Sequence, residues 1–125
     1  MHVSRLHLAA AAIATAIGTG GALAHHGWSW TLDGEFRLEG IIQEVYLGNP
    51  HATLEVMADG ELWHVDLAPP SRTAAAGFVE GVAEAGDAVI AIGRRSADPD
   101  ERSMKAVRLT IDGVHYDVYP DRVGS

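Results

Sequence analysis

Between residues 35 and 120 the chain alternates apolar and polar positions in short runs cut by Gly, Pro, Asn and Asp, the period-two signature of half-buried strands. A long first strand is predicted from about Glu35 to Leu47, with Phe36, Leu38, Ile42 and Val45 among its apolar positions. Gly40 interrupts it, as expected where a strand bends or bulges. Gly48-Asn49-Pro50 then turns the chain into a second strand, His51 to Met57. There Ala52, Leu54 and Val56 point one way and His51, Thr53, Glu55 and Met57 the other. Asp59-Gly60 is a strong two-residue hairpin signal, so Glu61 to Leu67 should fold back antiparallel. On that third strand Trp63, Val65 and Leu67 are expected to face the core and Leu62, His64 and Asp66 the solvent. This register sets Glu55 opposite His64, a cross-strand charge pair.

Pro69-Pro70-Ser71 stops the third strand and starts a helix, predicted over Ser71 to Val82, with Gly77 and Gly81 shortening or fraying it. A fourth strand follows from Ala88 to Arg94. The polar segment from Ser96 to Ser103 reads as a solvated loop, and a fifth strand runs from Met104 to Ile111. Asp112-Gly113 is a second hairpin signal, leading into Val114 to Tyr119. Three strands, one short helix and two or three more strands, beginning with a long bent strand, describe a mainly β fold. The expected architecture is a small OB-like Greek-key barrel of five to six strands with the helix between strands three and four. That fold hosts many unrelated sites, so it does not name a chemistry.

The N-terminal segment follows a different pattern. A short basic start (His2, Arg5) precedes an apolar stretch from Leu6 through Ile17, and Ala22-Leu23-Ala24 matches the small-x-small motif of a signal-peptidase cut. The apolar run is shorter than the roughly 20 residues of a spanning helix, so a cleaved leader is preferred to an uncleaved anchor. Expected boundaries are a signal peptide at 1–24, an arm at 25–34, the barrel at 35–120 and a tail at 121–125. The chain is therefore predicted to be exported, to the periplasm, with no membrane span after processing. Removing 24 of 125 residues leaves 101, enough for one domain.

Charge narrows the partners. Without Arg5, the 9 Lys and Arg become 8 against 17 Asp and Glu, a formal −9. Such a surface repels phosphate backbones, and no basic stripe offsets it, which excludes nucleic acid from the expected partners. The absence of cysteine removes thiolate metal sites and thiol chemistry, although an exported protein could form disulfides. No nucleophile elbow, phosphate loop or paired carboxylates are visible, and Pro99 breaks any calcium pattern at Asp98, Asp100 and Glu101. The sequence thus predicts a protein without catalytic residues.

A cut after Ala24 would make His25 the first residue, placing a free α-amine beside its imidazole and a second imidazole at His26. Amine and imidazole nitrogens in tetragonal array suit Cu(II). His51, following Pro50 at a stiff turn, is the candidate that would convert a flexible chelate into a defined site. Weaker candidates are His64, for which the charge pair with Glu55 is the simpler role, and Met57 and Met104. Those methionines could ligate Cu(I), but methionine at strand ends more often fills core gaps.

Several of these residues also carry a resemblance. His25-His26, Gly40 through Val45, Asn49-Pro50-His51-Ala52, Trp63, and Gly86-Asp87-Ala88-Val89 through Gly93 together resemble the bacterial exported domain-of-unknown-function family numbered 6152. The likeness covers nearly the whole mature chain, and its most specific element is the N-terminal His-His paired with a downstream Asn-Pro-His. It implies an exported single domain and singles out His25, His26 and Asn49-Pro50-His51, but no activity. Gly27-Trp28 departs from the small hydroxyl and aromatic residues usual at those positions.

The expected function is a copper-binding carrier, buffer or sensor component using His25, His26 and His51. The alternative is a metal-free envelope interaction module, taking a peptide, glycan or protein on a strand face that bears Trp28, Trp30, Tyr46 and Tyr116.

Overall fold

The computed structural model describes residues 27–124. The chain divides into two units, Met1–Trp30 and Thr31–Ser125. Of the first unit only a turn at residues 27–30 is described, in which the Trp30 indole donates to the Gly27 carbonyl at 3.1 Å. The predicted leader, His25 and His26 lie outside the described residues.

The second unit begins with Thr31, bridged to Ser96, and with the Leu32 amide donating to the Arg95 carbonyl at 2.8 Å. Its elements are β1 (Phe36–Tyr46), β2 (Thr53–Ala58), β3 (Glu61–Asp66), a short helix α1 (Pro70–Ala75), β4 (Ala88–Arg95), β5 (Ser103–Ile111) and β6 (Val114–Asp117), then a single 3-10 turn at Pro120–Arg122. The sheet order is β3-β2-β1-β4-β5-β6, all antiparallel, and a parallel pairing of β3 with β5 closes the first five strands into a barrel. This is the OB-like barrel expected from the sequence, with β6 as an additional strand and the helix between β3 and β4.

Both Asp-Gly turns fold as two-residue hairpins. Asp59 and Gly60 have φ of 51° and 77°, and Asp112 and Gly113 52° and 75°, the all-positive pattern of a type I′ turn. The first turn pairs Ala58 with Glu61, which fixes Met57 opposite Leu62 and Glu55 opposite His64. A one-residue slip would turn every side chain to the other face.

In β1 the bulge lies between Ile42 and Glu44, just beyond Gly40. Gly40 serves the bend differently: a Cβ there would collide with the Met57 carbonyl oxygen and stand 2.7 Å from Val56 Cγ1. Gly93 plays the same part where β4 meets β5, since a Cβ would strike the Lys105 carbonyl oxygen.

The barrel interior holds Ile42, Leu54, Val56, Val65, Ala91, Met104 and Leu109, all with no exposed surface. Burial of each larger aliphatic side chain contributes about 1.5–3 kcal/mol. Trp63 faces this core, as its alternation predicts.

The helix is shorter than expected. It ends at Ala75 rather than Val82, because Gly77 takes φ of +90° and the chain turns inward to bury Phe78, which is 1% exposed. An irregular loop then leads to β4. Smaller differences occur at the second strand, which begins at Thr53 and leaves His51 in the preceding turn, and at the last, which stops at Asp117.

Among the described residues no helix is long and apolar enough to cross a membrane.

Candidate functional site

Three rows of side chains cross the outer face of β1, β2 and β3. The first contains Tyr46, Thr53 and Asp66, the second Glu44, Glu55 and His64, the third Ile41, Met57 and Leu62. The parallel pairing extends the first two rows onto β5, setting Asp66 beside Lys105 and His64 beside Ser103.

His64 stands at the centre. Its Nδ1 is 2.7 Å from Glu55 Oε1 and its Nε2 is 3.0 Å from Asp66 Oδ1. Two carboxylates, one at each ring nitrogen, are satisfied together only when both nitrogens carry protons. The hydrogen bond to Asp66 and then that to Glu55 raise the His64 pKa to about 9 against the opposing effect of burial. At neutral pH the ring is an imidazolium, and a metal could reach it only by displacing a carboxylate and a proton. The expected pair with Glu55 is present, and Asp66 adds a second arm.

Asp66 is not the solvated residue that strand alternation predicts. It is 9% exposed, and the parallel pairing with β5 sets Lys105 directly beside it. Lys105 is 2% exposed, and its ammonium sits 5.5 Å from the centre of the Tyr119 ring. Burial lowers the Lys105 pKa and the Asp66 charge opposes that shift. The Arg72 guanidinium lies 5.1 Å from the same Tyr119 ring and pairs with Asp121 at 3.7 Å, so α1 and the C-terminal turn are tied together over this corner.

A second cluster lies at one end of the barrel. Phe36 and Trp63 pack with ring centres 5.3 Å apart, and the Arg95 guanidinium lies 4.9 Å from the Trp63 ring and 5.8 Å from Phe36. Beside it, Arg102 makes a two-armed pair with Glu61, which holds the Glu61 carboxyl below its usual pKa. A cleft of about 440 Å³ opens here. Trp63 is only 7% exposed because it faces the core, and the Arg95 guanidinium lies over both rings.

The remaining sequence candidates fall in different environments. His51 is half-buried in the turn after Pro50, whose peptide bond with Asn49 is cis. Met104 has no exposed surface and is a core side chain, not an accessible ligand. Met57 is 37% exposed within the apolar row. Among the described residues, no group of three His, Cys, Asp or Glu side chains is arranged to hold a metal ion.

The aromatic face expected for the alternative reading does not form from its two tyrosines. Tyr46 points outward, and its hydroxyl donates to the Asn49 carbonyl at 2.7 Å. Tyr116 points inward from β6 and packs edge-on against Phe78, with ring centres 5.7 Å apart.

Sequence reasoning missed Lys105, Tyr119 and the second arm at Asp66. No local signal marks them, because their contacts join segments far apart in the chain.

The described strands close into an OB-type barrel, and solved structures of low sequence identity share part of this fold. The chain is similar to TiaS with its ZRD deleted, in complex with agmatine, at 18% identity and a TM-score of 0.50, over 70% of this chain and 27% of that one. It is also similar to TiaS in a complex with a tRNA, AMPCPP and agmatine, at 18% identity and a TM-score of 0.48, over 62% of this chain and 18% of that one. The chain thus spans about a quarter or less of these proteins, and the likeness is one of fold. No family model and no curated protein matches the chain.

Proposed function

We propose that the chain is exported and, once cut after Ala24, binds a transition metal, copper, through the His25 amine and ring, His26 and His51. It would act as a carrier, buffer or sensor component in the periplasm, with the acidic surface drawing cations toward it. The observation that supports this reading is the anchoring of His51. The next residue, Ala52, has no exposed surface and is held by two backbone hydrogen bonds, its amide to the Ala68 carbonyl at 3.0 Å and its carbonyl from the Leu67 amide at 2.9 Å. A ring projecting from a fixed backbone loses little conformational freedom when it binds, which strengthens a chelate otherwise made by a flexible terminus.

Calorimetry with Cu(II) tests the reading on the processed protein. One extra residue before His25 removes the amine-imidazole chelate and should abolish high-affinity binding, while His51→Ala should weaken it at least tenfold. Unchanged affinity in the extended variant overturns the proposal. Mass spectrometry of the native protein from its own envelope reports the first residue and any bound metal independently.

A metal-free interaction module is the second reading. The apolar row across β1, β2 and β3 favours it.

A further inference from the structure

Ile41, Met57 and Leu62 are 42%, 37% and 50% exposed and lie directly opposite one another on three adjacent strands. Ala88, also exposed, continues the row onto β4 as the partner of Ile41. Scattered exposed apolar residues are ordinary, but a row in register across four strands forms a continuous stripe.

Charge borders the stripe unevenly. In the adjacent row Glu44 stands directly opposite Glu55, a like-charge pair that costs stability by itself. The single charge of His64 is shared between Glu55 and Asp66, so this row keeps a net negative charge. On the other side of the stripe Glu39 is neutralised by Arg37 at 3.2 Å.

We infer that the outer face of β1, β2 and β3 docks a short extended segment of a partner protein in which apolar residues alternate with lysine or arginine. The partner's apolar side chains cover Ile41, Met57 and Leu62, and its cations meet Glu44 and Glu55, relieving their mutual repulsion. A second copy of this acidic chain would bring Glu44 and Glu55 toward more carboxylates, and charge therefore selects a basic partner. The inference rests on the interaction-module reading and is independent of copper.

The test is amide NMR of the processed protein with a short synthetic peptide in which valine alternates with lysine, beside a counterpart in which glutamate replaces lysine. Only the lysine peptide should bind. Shifts should concentrate at Ile41, Glu44, Glu55, Met57 and Leu62, and affinity should fall with added salt. Leu62→Lys, an exposed change that leaves the core intact, should weaken binding at least tenfold, and Glu44→Gln should reduce the salt dependence. Shifts confined to another face would overturn the proposed surface while leaving a binding module. No shift with either peptide would overturn the basic partner. Sedimentation showing self-association abolished by Leu62→Lys would replace it with a second copy, and co-flotation with phosphatidylcholine vesicles abolished by the same change would replace it with a lipid surface.

Discussion

Raising pH should destabilise the barrel specifically through His64. The imidazole is held between Glu55 and Asp66, and its pKa in the folded protein is about 9 against 6.5 for a free ring. A folded value above the unfolded one means the bridge contributes fully below about pH 6.5, loses strength as pH rises, and is lost once pH passes about 9. A difference of that size corresponds to an upper bound of about 3 kcal/mol. The His64 side chain is 43% exposed, so solvent screens the interaction and about 1 kcal/mol is the realistic contribution. Urea unfolding of the wild type and of His64→Gln at pH 6, 7.5 and 9.5 reads it: the gap between the two should be about 1 kcal/mol at pH 6 and shrink toward zero by pH 9.5. An NMR titration of the ring supplies the site-specific check. A His64 midpoint near 6.5, or a gap constant across that range, would refute the bridged imidazolium.

Two core predictions complement it. Gly93→Ala should cost about 2–3 kcal/mol, because the new Cβ meets the Lys105 carbonyl oxygen and the Ala106 Cα, backbone atoms that cannot step aside; chemical denaturation measures it. Phe78→Ala should cost about 3–5 kcal/mol by the same measurement and should release Tyr116, visible as a weaker near-ultraviolet circular dichroism signal.

The residues that became legible early were those whose information is local. Period-two alternation assigned Ala52, Leu54, Val56, Trp63 and Val65 to the core, and Asp-Gly at 59–60 fixed the register that faces Glu55 with His64. Phe78 escaped notice because the helix signal of Ala74-Ala75-Ala76 ran past Gly77, and nothing in propensity says that burying one phenylalanine outweighs another turn of helix. The candidate metal residues were legible as types, but only their surroundings separated Met104, sealed in the core, from Met57 on the surface.

By itself, the order of apolar and polar residues placed the first five strands, most of the faces they bury and the two tight turns, since these depend on neighbours a few residues apart. Only the tertiary structure decided that residues 64–66 lie beside 103–105. That closure removes Asp66 and Lys105 from water and turns a simple cross-strand pair into a bridged imidazolium. A strand's period states which side faces inward but not which edge it will meet, and the edge is settled only when the whole sheet curls and closes.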